Sequence, residues 1–345
     1  MEATPTAANA EVYGNLLHKE RLNAQAAQIA SQLARDLQAG GSKEGSLSRA
    51  VTQLEALQQQ NRAPLITSEE AMITCVNDLQ EMSDGKGAEP VSTGISYLDW
   101  MLDGGMIRQG LYILGARPGT GKTALGLSVA EHAANLGPVL FLSLEMPVQQ
   151  LSQRRIAAST GVALGVMKNR TALERSGKWE QIALGAMKLS EKPLYFNFLP
   201  TASVEDLGTL ARSIQGLRLV VVDYLGLFLC PIRNQYEKIT CISNDLKRMA
   251  RTLNVPILCL AQLNRASTQR PNEEPRMADL RDSGAIEQDA DAILLLSRPD
   301  KWAEPPEVPI PVRAALVKNR HGRIGRFELE FDGPHCRFLQ PPVRH

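Results

Sequence analysis

An excess of charge of either sign is missing from this sequence, whose 38 lysines and arginines face 37 aspartates and glutamates across 345 residues. That balance excludes a global basic field for nucleic acid, so any such contact has to come from a local patch. Cysteine is scarce as well. Cys75, Cys230, Cys241, Cys259 and Cys336 are odd in number and contain no Cys-x-x-Cys pair, which reads as reduced thiols and argues against a zinc site or a disulfide framework. No apolar run approaches the roughly 20 residues that span a bilayer. The N-terminus Met1-Glu2-Ala3-Thr4-Pro5 has neither a basic n-region nor an apolar h-region. No membrane partner and a cytoplasmic location are therefore expected. Internal repeats and low-complexity tracts are absent too. What remains is a chain long enough to bury a substantial core in one large or two modest domains.

The N-terminal quarter is rich in Ala, Gln, Leu and Glu and poor in β-branched runs, which predicts helix. Leu16, Leu22, Ile29, Leu33 and Leu37 recur at near-helical spacing from Glu11 to Leu37, and Leu47, Val51, Leu54 and Leu57 repeat the pattern beyond a Gly40-Gly41-Ser42 break. A third helix is expected from Thr67, whose hydroxyl and Glu70 form a capping-box pattern, with Met72, Val76, Leu79 and Met82 on one face. Three narrow apolar stripes make either a small helical subdomain or a docking surface for another subunit. The run 83–90 reads as a flexible linker. The expected division is a helical region over 1–66, a linker helix and linker over 67–90, and a main domain over 91–345.

From Val91 onward, apolar strand candidates at 111–115, 139–143, 194–198, 219–223, 256–261 and 292–297 alternate with helical stretches, the signature of a mainly parallel α/β sheet. Two further strands, 313–317 and 327–331, flank Asn319-Arg320-His321-Gly322-Arg323 as a hairpin.

The strand Leu111 to Gly115 feeds Ala116-Arg117-Pro118-Gly119-Thr120-Gly121-Lys122-Thr123, a phosphate-binding loop. Small residues let successive backbone NH groups curl around polyphosphate oxygens, and the following helix N-terminus favours anions. Lys122 reaches the outer phosphates and Thr123 offers its hydroxyl to Mg²⁺. Ala116 takes the place of the usual first glycine of this motif. ATP and Mg²⁺ are the expected cofactors.

Other strand ends supply chemistry that the loop needs. Leu219-Val220-Val221-Val222-Asp223 ends in a carboxylate suited to hold Mg²⁺ beside Thr123. Val139 to Ser143 leads to Glu145, suited either to activating water or to an acid at a helix start. Gln262, at the end of Pro256 to Ala261, is an amide able to sense a γ-phosphate or simply to cap a strand. The polar stretch Asp279 to Asp291, with Arg281, Asp282 and Gly284, reads as a solvated loop or a local phosphodiester contact. Lys318 and Arg320 are surface charge or cationic fingers for a neighbouring subunit's phosphates.

The order of these motifs is specific. The phosphate loop, Ser143-Leu144-Glu145-Met146-Pro147, Val222-Asp223-Tyr224-Leu225, Gln262-Leu263-Asn264-Arg265, Asp279-Leu280-Arg281-Asp282-Ser283-Gly284 with Ile286 to Asp291, and Lys318-Asn319-Arg320-x-Gly322 follow one another. From Thr93 to about Phe338 the chain closely resembles the DnaB family of replicative DNA helicases. The resemblance implies a RecA-like ATPase core in a homo-hexameric ring that translocates 5′ to 3′ on single-stranded DNA and unwinds forked duplex. It implies Lys122 and Thr123 on phosphate and Mg²⁺, Asp223 supporting the metal, Glu145 as catalytic base and Gln262 coupling γ-phosphate to DNA. The resemblance further implies that Lys318 and Arg320 act in trans, Arg320 as arginine finger, and that Arg281, Asp282 and Gly284 line the DNA channel.

Asp282 stands where the family usually has Glu, and the helical region before the motor is shorter than the family's N-terminal domain, on which primase and loader recruitment depend. A phage or mobile-element helicase with a shortened N-terminal region fits. Two other functions share parts of the pattern: a RecA-like recombinase or regulatory ATPase without unwinding, and an ATP-switched assembly subunit.

Overall fold

The computed structural model describes residues 7–38, 46–47, 49–53, 66–84, 89–264, 275–280, 283–298 and 309–340. They divide into two compact units, Met1–Gly87 and Ala88–His345.

In the first unit, α1 runs over Ala7–Gln38, starting earlier than the apolar stripe at Glu11 suggests, and residues 49–53 are also helical. The Gly40 to Ser42 break and Leu54 and Leu57 lie outside the described residues. Helix α2 spans Ser68–Ser83 and begins as its capping box demands: the Glu70 amide donates to Thr67 Oγ1 at 3.2 Å, and the Thr67 amide donates to Glu70 Oε2 at 2.8 Å. The Glu70 carboxyl is held below its usual range by the hydrogen bonds it accepts from the Thr67 amide and hydroxyl. None of its residues is buried, and Met72, Val76, Leu79 and Met82 are all exposed. A 16-residue helix with a bare apolar face draws little stability from propensity alone.

The second unit is one nine-stranded sheet in the order β3-β2-β4-β5-β1-β6-β7-β8-β9. Strands β1 (Leu111–Ala116), β2 (Val139–Ser143), β3 (Leu194–Phe198), β4 (Leu219–Asp223), β5 (Ile257–Gln262) and β6 (Ala292–Ser297) are parallel. Strands β7 (Ile310–Asn319), β8 (Gly325–Asp332) and β9 (Arg337–Leu339) continue antiparallel. Strand β5 starts at Ile257 rather than Pro256, a residue with no amide to donate to a ladder.

Continuous apolar runs become central strands because the sheet is covered on both sides. Side chains alternate between two cores: Leu114, Phe141, Val221 and Leu260 pack with Leu125 and Val129 of α3 (Lys122–Ala133). Ile113, Leu142, Val222 and Cys259 pack with Ile242 and Leu246 of α4 (Gln235–Leu253). Two layers of helix thus clamp the strands and hold their carboxyl ends in line. Between β2 and β3 lie four helices, of which the first, α5 (Val148–Thr160), packs on the edge strand β3 and the last, α6 (Trp179–Ser190), packs on α5. Strand β6 is preceded by a short helix, α7 (Ser283–Asp289).

Candidate functional site

The phosphate loop leaves β1, all six of whose residues are buried, and turns through Gly119 (φ +78°) and Gly121 (φ +99°) into α3. These left-handed conformations cost glycine little and a side chain much. At Gly121 there is also no space: an added Cβ would stand 2.8 Å from the Phe338 ring. The loop opens on a cleft of about 410 Å³ lined by Ala116, Arg117, Pro118, Gly119, Gly121, Lys122 and Thr123, with Glu145 and Gln262 facing them. Thr120, the remaining residue of the loop, is buried.

Register explains why residues far apart in the chain meet here. Asp223 pairs with Ser143 of β2 and Leu260 of β5, and Gln262 pairs with Ala116, the last residue of β1. The Leu144 amide donates to the Asp223 carbonyl at 2.7 Å, extending that ladder just long enough to deliver Glu145, exposed, to the cleft. Ser143 Oγ accepts from the Met146 amide at 2.9 Å and fixes the turn that follows.

Asp223 is fully buried. Its Oδ2 accepts from Thr123 Oγ1 at 2.7 Å, and its Oδ1 lies 3.2 Å from Lys122 Nζ, which also sits 4.4 Å from the Tyr224 ring centre. Oδ1 carries an ion pair but no hydrogen bond of good geometry. A buried carboxylate oxygen short of donors, beside a threonine hydroxyl and an anion-binding loop, suits a hard divalent cation that takes its other ligands from phosphate and water. Among the described residues no cluster of three His, Cys, Asp or Glu forms a self-sufficient metal cage. Beneath the carboxylate, burial pushes the Cys259 thiol well above its ordinary range, so it stays neutral.

Several residues of the cleft were not singled out by sequence reasoning. Phe331 and Phe338 face each other across β8 and β9 with ring centres 4.9 Å apart, and both press on Gly121. Phe331, Cys336, Arg154 and Leu164 line the cleft, and Arg298 Nη1 donates to the Gly119 carbonyl at 2.8 Å. The pairing of two aromatics in a chain with only seven Phe was the available signal, but it needed β9, a three-residue strand too short to be read from sequence.

Gln262 also lines a second cleft, of about 620 Å³, with Tyr224, Leu225, Gly226, Asn264, Gln235 and Ile239 of α4 and Ile286 of α7. Gly284 sits on α7, where an added Cβ would lie 3.1 Å from the Tyr236 hydroxyl. Arg281, Asp282 and Arg265 lie outside the described residues.

Lys318 and Arg320 are not in the cleft. Because β7 runs antiparallel to β6, Asn319 pairs with Ala292 at the start of β6, at the end of the sheet where β1 begins. The length of β1, roughly 17 Å at about 3.3 Å per residue, separates that end from the phosphate loop. Here Arg320 Nη1 approaches Asp291 Oδ1 at 3.4 Å and Arg320 Nη2 donates to the Gln288 carbonyl, while Lys318 Nζ donates to the Glu287 carbonyl. No acid stands beside these cations along the sequence, and the fold supplies Asp291. Burial, and after it the neighbouring Arg320 charge, lower the Lys318 ammonium below the usual lysine range.

Residues 90–340 match the DnaB-like helicase C terminal domain family. The replicative DNA helicase DnaB of Geobacillus stearothermophilus is 29% identical, the match covering 98% of this chain and 76% of that protein. DnaB of Leifsonia xyli is 30% identical over 97% of this chain and 75% of that protein, and DnaB of Treponema pallidum 37% identical over 72% and 56%. Among solved structures, the ATPase domain of G40P superposes with a TM-score of 0.72 at 30% identity, covering 81% of this chain and all of that domain. A DnaB-like replicative helicase, described with its interactions with primase, superposes at 0.69 with 26% identity over 98% of this chain and 81% of that one.

Proposed function

The chain belongs to the DnaB family of replicative DNA helicases, and from that premise we propose the roles of its residues. It is an ATP-hydrolysing replicative helicase with a RecA-like motor. The observation that carries the residue roles is the convergence of Lys122, Thr123, Glu145 and Gln262 on one cleft, with Asp223 buried against Lys122 and Thr123. Residues 116–123 hold the phosphates. Lys122 is placed for the β- and γ-phosphates, and Thr123 with Asp223 would hold Mg²⁺, which would neutralise charge on the transferred phosphoryl group. Glu145 orients the attacking water and takes its proton. Phe331 and Phe338 form the apolar wall beside the loop against which the nucleoside packs.

Gln262 borders both clefts, which supports its role in relaying the γ-phosphate to the DNA-facing side, where Arg281, Asp282 and Gly284 contact single-stranded DNA. Arg320, with Lys318, completes the nucleotide site of a neighbouring subunit. Their location at the far end of β1 from their own phosphate loop supports action in trans. The proposed assembly is a homo-hexameric ring moving 5′ to 3′, with residues 67–90 as the linker; the exposed apolar face of α2 supports its docking on another copy. Primase and a helicase loader are the proposed further partners. No helix among the described residues is long and apolar enough to cross a membrane, and the bacterial cytoplasm is the proposed location.

The test is ATP-dependent unwinding of a forked duplex with a 5′ single-stranded tail, run beside Glu145→Gln. Unwinding by the parent chain alone supports the reading. DNA-stimulated ATPase without unwinding, in assembled rings, points instead to a RecA-like DNA-dependent ATPase.

A further inference from the structure

Asp291 is among the few buried charged residues outside the nucleotide cleft, with its side chain 5% exposed. Its two carboxylate oxygens have different duties. Oδ2 accepts from the Leu111 amide at 2.7 Å and from Lys247 Nζ at 2.6 Å, and Lys247 is itself fixed on the Gln109 carbonyl at 3.0 Å. The Asp291 amide donates to the Leu111 carbonyl at 2.8 Å, so side chain and backbone together clamp the first residue of β1. One oxygen and the backbone thus satisfy the fold and hold the carboxylate still.

Oδ1 takes no part in that clamp. It faces Arg320 Nη1 at 3.4 Å and, farther off, His321 Nε2 at 3.9 Å. The Arg320 amide donates to the Asp291 carbonyl at 2.8 Å, which pins the hairpin backbone at the same point. Arg320 Nη2 and Lys318 Nζ reach the last carbonyls of α7, Gln288 and Glu287, the end of a helix where backbone dipoles favour cations. A guanidinium is a rigid fork, so Asp291 Oδ1 on Nη1 and the Gln288 carbonyl on Nη2 together set its plane and direction, the carboxylate being the charged one of the two.

We propose that Asp291 is the positioning residue of the arginine finger: its Oδ1 sets the direction in which Arg320 is presented to the neighbouring subunit's nucleotide. The clamp on Leu111 references that direction to β1, the strand that carries the subunit's own phosphate loop. Finger and loop are thereby held on one rigid element at its two ends. The inference rests on the reading that Arg320 acts in trans.

The experiment measures ATPase activity of single variants and of equal mixtures of two variants under conditions where rings form. Asp291→Asn alone is expected to lower kcat about 100-fold, the cost of misplacing a catalytic group by about 1 Å, with KM for ATP changed by less than about threefold. Mixed with Lys122→Ala subunits, which have a dead nucleotide site and an intact finger, Asp291→Asn should recover activity. Mixed with Arg320→Ala subunits it should not, because both lesions then lie on the finger side. A merely structural defect does not produce that directional pattern.

Recovery with Arg320→Ala but not with Lys122→Ala places the lesion in Asp291's own nucleotide site and overturns the inference, as does a wild-type kcat for Asp291→Asn. Where Asp291→Asn fails to fold by circular dichroism, Asp291→Glu carries the same mixtures, since it keeps the charge beside Lys247 and displaces the carboxylate by one methylene. Failure of Arg320→Ala and Lys122→Ala to complement each other is a separate outcome: it removes the trans reading itself, and the inference with it. Complementation of that control pair without recovery of the folded Asp291 variant by Lys122→Ala removes the inference alone.

Discussion

Thr123 Oγ1 donates to Asp223 Oδ2 at 2.7 Å, joining the first turn of α3 to the end of β4. The contact sets the two oxygens assigned to Mg²⁺ side by side through a hydrogen bond of the fold itself. Thr123→Ala removes one oxygen and leaves the loop backbone intact. It should lower Mg²⁺-dependent ATP hydrolysis by roughly two to three orders of magnitude. Binding of a fluorescent ATP analogue without Mg²⁺ should change by less than about threefold. A Mg²⁺ titration of both signals checks this, and an unchanged Mg²⁺ dependence of hydrolysis would remove Thr123 from the metal site.

Glu145 reaches the cleft from a strand end without touching Asp223's two oxygens, so its substitution should separate binding from chemistry. Glu145→Gln is expected to retain nucleotide affinity while losing about 10²- to 10⁴-fold in kcat, the usual worth of a positioned general base. Single-turnover hydrolysis with radiolabelled ATP measures the chemical step directly. Equal losses in affinity and rate would instead assign Glu145 to binding.

Gln262 lines two clefts, one at the phosphate loop and one at the start of α4 and α7. Gln262→Ala should keep most of the DNA-independent ATPase rate and lose the stimulation that single-stranded DNA brings. The readout is the ratio of the two rates at saturating DNA. A variant stimulated as strongly as its parent would leave Gln262 as a strand cap.

Phe338 presses on Gly121 and packs at a tilt of 33° against Phe331, yet it touches no group that reacts. Phe338→Ala should therefore raise KM for ATP about tenfold with kcat little changed, the pattern of lost uniform binding. Initial-rate kinetics over a range of ATP concentrations checks it. A fall in kcat with constant KM would mean that the ring instead holds the phosphate loop in its reactive geometry.

Much of the motor was legible along the chain because its parallel strands are buried on both faces. The apolar runs 111–115, 139–143 and 219–223 read as strands and became Leu111–Ala116, Val139–Ser143 and Leu219–Asp223. The capping box at Thr67 was legible for a related reason, since its partners lie three residues apart. Strand β7 was harder: Pro311 and Arg313 interrupt the pattern at a strand whose outer positions are open, so its first residues escaped notice.

Local sequence determined every feature whose partners are neighbours in the chain: the phosphate loop with its glycines, the helix that follows it, and the identity of the acids and amides at strand ends. Tertiary structure alone decided which of those strand ends stand side by side. The order β2-β4-β5-β1 sets Glu145, Asp223, Gln262 and Lys122 around one cleft, and the antiparallel return of β7 carries Arg320 to the opposite end of the sheet. The β8 and β9 register joins Phe331 to Phe338, and the clamp on Leu111 brings Asp291 to Arg320. The physical reason is that ladder register and strand order are set by burying two long-range apolar faces at once, a condition that no short window of sequence contains.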